Sequence, residues 1–95
     1  MEKQIQNNPL VNQLCEALSA VDTTEDALNL LRDLCTFSEI TAMSERLEVA
    51  KQVKKGTSYR QINKNTGVST ATITRVAHWL HHGEGGYESI LNHLH

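Results

Sequence analysis

Residues 59–76 read YRQINKNTGVSTATITRV, and this segment is the most informative part of the sequence about the fold. Ser58 precedes it and Gln61 follows three residues later, which is the spacing of a capping box at the start of a helix. Gly67 then supplies a turn, because glycine adopts a left-handed backbone without a steric cost. Ser69 can cap a second helix. The stretch therefore predicts two short helices joined by a tight turn.

This layout is that of a DNA-binding helix-turn-helix. Its small core would consist of Ile62, Val68, Ile73 and Val76. The side chains left outside suit a major groove, because small residues permit close approach and hydroxyls can serve donor or acceptor edges of the bases. The predicted DNA-contacting residues are Arg60, Asn63, Lys64, Ser69, Thr70, Ala71, Thr72, Thr74 and Arg75.

The alternative interpretation of the motif is a helical hairpin whose threonines are merely solvated. A threonine-rich helix has poor intrinsic propensity, so it needs another reason to exist, and this favours the DNA-binding interpretation.

The net charge of −2 is an average over unlike segments. Residues 1–43 carry a net −5, whereas residues 44–82 have seven basic against two acidic side chains and carry a net +5. The basic segment includes the whole helix-turn-helix. Such a dipolar chain is compatible with nucleic acid on one side and self-association on the other, although a solvated charged face gives the same pattern.

Outside the motif, apolar residues also recur at helical spacing. Asn8-Pro9 opens a first helix, the turn 22–24 restarts the pattern, and Thr36 begins a capping box for the third and longest helix. A last short helix is expected over residues 87–94. With 95 residues, one proline and no strand-like alternation, the chain is predicted to be all-α and a single domain.

Several other classes find no support in the sequence. No apolar run is long enough for a membrane span and no signal peptide is recognisable, so we expect a cytoplasmic protein without a membrane partner. Cys15 and Cys35 are expected to be reduced, buried thiols. We expect no enzyme, because the chain lacks a phosphate loop, a nucleophile elbow and a plausible carboxylate pair.

No metal site is expected either. Three histidines, His78, His81 and His82, could place two imidazoles on one helical face, but no cysteine or acid completes a set, and we assign them to solvent or to phosphate. Trp79 is expected to pack in the core or at a dimer interface.

Three segments, Arg46-Leu-Glu-Val-Ala-Lys51, Gly56 and Ala71-Thr-Ile-Thr-Arg75, resemble the Trp repressor family, in particular its small YerC/YecD-type branch. The resemblance extends from near Asp33 through Tyr87. It implies six helices per subunit and an intertwined homodimer built mainly from the first three helices and the last. The single DNA-binding domain 1–95 would then comprise dimerisation helices in 1–56, the helix-turn-helix in 58–81 and a dimerisation helix in 87–94.

The resemblance also assigns roles to individual residues. Thr70, Ala71 and Thr74 match family residues that face base edges, and Arg60 matches an arginine at the DNA surface. Arg46 and Arg75 match the two arginines that sandwich the corepressor. For Arg46 a salt bridge to a neighbouring acid is an equally simple role, whereas for Arg75 we favour a contact with DNA phosphate.

The family's glycine and serine near the corepressor are replaced here by Val76 and Trp79. Larger side chains in that space argue against tryptophan as the ligand. The identity of any small-molecule corepressor is left open.

The sequence thus predicts a transcriptional regulator, a dimeric repressor that reads a palindromic operator in double-stranded DNA. One alternative is a helical homodimer that binds a protein through its basic face and does not bind specific DNA. Another is a regulator that responds to an amino acid other than tryptophan.

Overall fold

The computed structural model describes residues 3–94, which form seven helices and no strand. The helices are α1 (Lys3–Gln6), α2 (Pro9–Ala20), α3 (Thr24–Leu34), α4 (Phe37–Lys54), α5 (Tyr59–Thr66), α6 (Thr70–His82) and α7 (Gly86–Leu91). The six predicted helices correspond to α2–α7, and α1 is an additional turn before them. Helix α7 ends at Leu91 rather than Leu94. Residues 1, 2 and 95, which the predicted ranges 1–56 and 1–95 include, lie outside the described residues.

The chain divides into two compact units, residues 1–40 and 41–95. In the first unit, α2 and α3 each follow a residue whose side-chain oxygen accepts hydrogen bonds from backbone N–H groups of the first turn. Asn8 Oδ1 accepts hydrogen bonds from the N–H groups of Leu10 and Val11, at 2.8 and 3.3 Å. Thr23 Oγ1 accepts one from the N–H of Asp26 at 3.0 Å. Local sequence therefore determines where α2 and α3 start.

Helix α4 begins with the predicted capping box. The N–H of Thr36 donates to Glu39 Oε1 at 2.7 Å, and the N–H of Glu39 donates to Thr36 Oγ1 at 3.1 Å. The backbone hydrogen bond from Thr36, and then the contact with its side chain, lower the pKa of Glu39, because both favour the ionised carboxylate. The box therefore fixes both the start of the helix and the charge at its N-terminus.

The apolar side chains of the first unit are largely uncovered. Neither α2 nor α3 contains a buried residue, and Leu10 and Phe37 are 76% and 86% exposed. The prediction of buried thiols is wrong for Cys15, which is exposed because the apolar face of α2 is itself uncovered. Cys35 is half-buried, and neither cysteine forms a disulfide.

The second unit contains the core. Helix α6 packs against α5 and against α7. The buried cluster consists of Val49, Ala50, Ile62, Val68, Ile73, Val76, Leu80 and Leu91. It includes the four apolar positions predicted for the helix-turn-helix, and this core orients the two helices of the motif.

Candidate nucleic-acid interface

The helix-turn-helix consists of α5, a turn and α6. Ser58 Oγ accepts a hydrogen bond from the N–H of Gln61, and Ser69 Oγ accepts one from the N–H of Thr72, both at 3.2 Å. Gly67 ends α5 with φ 75° and ψ 0°, the left-handed conformation that glycine adopts at least cost. The caps at Ser58 and Ser69 and the turn at Gly67 are confirmed. The capping box is only half formed, since the side chain of Gln61 donates to Asn65 instead.

Side chains tie the turn to α5. Asn63 Nδ2 donates to the carbonyl of Val68 at 2.7 Å. Thr66 Oγ1 donates to the carbonyl of Ile62 at 2.7 Å and accepts from the N–H of Val68 at 3.1 Å. Side chains and the backbone of the motif thus bind the N–H groups of Gly67 and Val68 and the carbonyl of Val68, which stabilises the turn. Asn63, predicted to contact DNA, has a structural bond here.

Two of the other predicted DNA contacts form the start of α6. Ser69 Oγ donates to Thr72 Oγ1 at 3.1 Å while it accepts from the N–H of the same residue. Thr72 is half-buried. The hydroxyls of both residues are thus engaged with each other, and their defined role is to cap the helix.

The remaining predicted contacts on α6 are exposed at its N-terminal half: Thr70, Ala71, Thr74 and Arg75. Thr74 Oγ1 donates to the carbonyl of Thr70 at 2.9 Å. Its proton is therefore used within the helix, and the oxygen of this exposed side chain remains available as an acceptor. Small side chains and an acceptor at the front of a helix suit the base edges of a major groove.

Basic side chains accompany this face. Arg60 and Lys64 are exposed on α5. Lys54, near the end of α4, binds Glu88 at 3.1 Å and also donates to Asn92 Oδ1. Part of the positive charge counted in residues 44–82 is therefore neutralised locally at Lys54, whereas the motif itself keeps its arginines and lysine at the surface.

The two arginines predicted as effector ligands meet at one cavity of the second unit, which has a volume of about 360 Å³. Its lining consists of Ala42, Glu45, Arg46, Gly67, Val68, Ser69, Thr72, Arg75, Val76, Trp79 and Tyr87. Val76 is buried, but Trp79 is 55% exposed, so in the single chain this indole is not a core residue. Val76 and Trp79 form part of the wall of this cavity, which Arg46 and Arg75 also line, and they do not fill it.

A network of polar side chains, which the sequence did not predict, links α4 to α5. Gln52 Nε2 donates to Glu48 Oε2 at 2.7 Å, Asn65 Nδ2 to Gln52 Oε1 at 3.0 Å, and Gln61 Nε2 to Asn65 Oδ1 at 2.7 Å. The pairs within each helix have i,i+4 spacing and were visible in the sequence. The bond between Gln52 and Asn65, which joins the helices, was not.

Residues 3–94 offer neither a multi-ligand metal centre nor a membrane-spanning helix. They contain no group of three or more His, Cys, Asp or Glu side chains arranged to hold a metal ion. None of their helices combines the length and apolar character required to cross a membrane. His78, His81 and His82 are all exposed on α6.

Comparison with known proteins extends the similarity beyond the motif. The sequence profile of the Trp repressor protein family matches residues 10–95. The uncharacterised protein YerC of Bacillus subtilis (strain 168) is 37% identical over 84 residues, which cover 88% of this chain and 81% of YerC.

Two crystal structures have the same fold. A TrpR-like protein from Eubacterium eligens superimposes with a TM-score of 0.87 at 36% identity, over 93% of this chain and 91% of that one. A candidate Trp repressor from Staphylococcus aureus gives 0.90 at 35% identity, over 99% and 94%. The resemblance and the all-α, six-helix fold expected from it are confirmed. The chain belongs to the Trp repressor family and has the fold of its DNA-binding regulators.

Proposed function

We propose that the chain is a sequence-specific DNA-binding transcriptional regulator, a dimeric repressor that reads a palindromic operator through its helix-turn-helix. The observation that carries the proposal is the exposed N-terminal half of α6, where Thr70, Ala71 and Thr74 are small or hydroxylated and lie beside basic residues. Such a helix can approach base edges closely, which a helix covered with long side chains cannot.

The proposed contacts divide into two classes. Arg60, Lys64 and Arg75 bind phosphates and supply affinity that falls with salt, because counterions are released from the DNA. Thr70 and Thr74 supply the choice of sequence through base edges. Ser69, Thr72 and Asn63 act on DNA indirectly, since their polar groups hold the motif in shape.

Dimerisation follows from the uncovered apolar surface of the first unit. Helices α2 and α3 bury no residue, and leucines along both are exposed, among them Leu14 at 42% and Leu28 at 49%. A large exposed apolar surface is typical of an interface. In the proposed organisation, residues 1–56 and 87–94 dimerise and residues 58–81 form each reading head. Two heads then bind half-sites about one DNA turn apart.

The cavity between Arg46 and Arg75 is the proposed effector site. Two guanidinium groups can receive a carboxylate, and about 360 Å³ is within the range of small-molecule pockets. An amino acid other than tryptophan is the first class to test. In a thermal-shift screen of single amino acids, the amino acid that binds this site should raise the melting temperature of the chain. The Arg46→Gln variant should not show this increase.

Recovery of bound genomic fragments in vitro tests the regulator proposal. A palindromic consensus is expected, with affinity that decreases steeply between two salt concentrations. If no fragment is retained at low salt, the chain is the alternative, a helical homodimer that binds a protein through its basic face.

A further inference from the structure

The C-terminal half of α6 carries a pair of histidines four residues apart. His78 and His82 are both exposed, and i,i+4 spacing puts them on one face of the helix. Their ring centroids are 5.2 Å apart and their planes are inclined by 41°. The sequence predicted that these rings face solvent or DNA phosphate, and the distance between them is a geometric observation that spacing in the sequence could not supply.

That separation is compatible with a metal ion shared by the two rings. An ion bound at about 2.0–2.1 Å from an imidazole nitrogen lies about 3.2 Å from the ring centre, so two rings at a near-tetrahedral angle have centres about 5.2 Å apart. The rings of His78 and His82 meet this condition. The rings of His81 and His82 are 6.4 Å apart, which by the same geometry requires the two rings to lie on opposite sides of the ion.

The geometry points to a divalent transition-metal site formed by His78 and His82, with Zn²⁺, Ni²⁺ or Cu²⁺ as the ligand. Neutral imidazole suits all three ions. His82 is the last residue of α6, and the negative end of the helix dipole favours a cation there. Two protein ligands leave the other coordination positions to water, as in an exchangeable site rather than a closed structural one.

The site would connect metal to the helix that carries the proposed reading residues. A chelate across His78 and His82 closes the last turn of α6, so an ion that binds only the helical form stabilises that form. This inference goes beyond the proposed function and does not depend on it, because metal binding can be measured without DNA.

The molecule contains its own reporter of binding. Trp79 is the single tryptophan, and its ring lies edge-on to that of His78 with 5.3 Å between centroids. A paramagnetic Ni²⁺ ion at the pair should quench its fluorescence, and excess Zn²⁺, which has a filled d shell, should displace Ni²⁺ and restore the signal. Full-length protein without a polyhistidine tag is titrated with Ni²⁺ at neutral pH, where imidazole can coordinate.

Three variants decide the outcome. His78→Gln and His82→Gln should each weaken Ni²⁺ binding by about tenfold or more, whereas His81→Gln, the matched control on the same helix, should stay within about twofold of the parent chain. Because His78→Gln also changes the surroundings of Trp79, calorimetry measures the same affinities independently. Circular dichroism verifies that the variants remain helical. Absence of saturable binding, or an equal loss in His81→Gln, would overturn the site.

Discussion

Asn63 donates its side-chain amide to the main-chain carbonyl of Val68 across the turn of the helix-turn-helix, at 2.7 Å. One asparagine thereby joins the last turn of α5 to the residue that follows Gly67. The bond is part-buried, so water does not readily replace the donor if the asparagine side chain is removed, and the carbonyl of Val68 is left without a hydrogen bond.

Asn63→Ala should therefore lower the free energy of unfolding by about 1 kcal/mol and weaken binding to all DNA sequences alike. Urea unfolding and titration with specific and random DNA measure the two effects. Lys64→Ala is the neighbouring control, and we expect its stability to change by less than about 0.5 kcal/mol while its DNA affinity decreases. Unchanged stability together with altered sequence preference would instead make Asn63 a base contact.

Gly67→Ala should destabilise the chain by about 1–2 kcal/mol, because φ is 75° and an L-residue in the left-handed region carries that cost. Apart from its chain neighbours, a Cβ at this position would meet nothing within 4 Å, so the cost arises from the local backbone conformation and not from a clash with the rest of the fold. Gly67→Asn should lose less, since asparagine tolerates this region. Thermal unfolding compares the melting temperatures of the two variants with that of the parent chain. An alanine variant as stable as the parent would show that the left-handed conformation at residue 67 carries no such cost.

Thr74→Val should reduce discrimination at one position per half-site by about 1–3 kcal/mol, because it removes the outward acceptor while preserving shape. Arg60→Ala should weaken specific and random DNA similarly and lower the salt slope by about one per bound arginine. Gel-shift titrations on both kinds of DNA, at two salt concentrations, measure the difference. If Thr74→Val and Arg60→Ala lose the same affinity for specific and for random DNA, the assignment of Thr74 to a base edge is wrong.

Leu14→Glu should raise the dissociation constant of the proposed dimer by at least about tenfold, since burial of a leucine is worth about 1.5–3 kcal/mol. Gln13→Glu introduces the same side chain at the neighbouring position and should leave association nearly unchanged. Sedimentation velocity over a concentration series provides the measurement. A parent chain that is monomeric throughout the series, or equal behaviour of the two variants, would contradict the interface.

Glu39 supplies a pH test of the α4 cap. Its pKa is lowered in the folded chain, so its contribution to stability is complete above the ordinary glutamate pKa of about 4.3 and is lost as the pH decreases through the lowered value. The stability advantage of the parent over Glu39→Gln should therefore diminish on acidification, as urea unfolding across this range can measure. NMR titration should give a pKa closer to ordinary in Thr36→Ala, and an advantage independent of pH would contradict the cap.

The features that sequence predicted are those set by neighbours along the chain. The caps at Asn8, Thr36, Ser58 and Ser69 and the turn at Gly67 depend on side chains within three residues of the amide they bind, so local chemistry determines them.

What sequence did not predict depends on distant residues or on the shape of a surface. The predicted reading positions included Asn63, Ser69 and Thr72, whose bonds within the motif only coordinates reveal. Tyr87 joins Arg46 at the cavity because α7 packs against α6, and no periodicity carries that information. The exposure of Cys15 likewise follows from tertiary packing, since an apolar helical stripe does not say what covers it.

The separation of buried and exposed residues on α6 has an evolutionary consequence. Its buried face consists of Ile73, Val76, Ala77 and Leu80, whereas Thr70, Ala71 and Thr74 face outward and are not part of that core. Exchanges at the outward positions leave the packing of the helix untouched, so they carry little penalty in folding. Under the proposed function, a duplicated copy of the gene could therefore acquire a new operator by a few substitutions, and the same three positions would be the ones to randomise in order to change the DNA sequence that the chain binds.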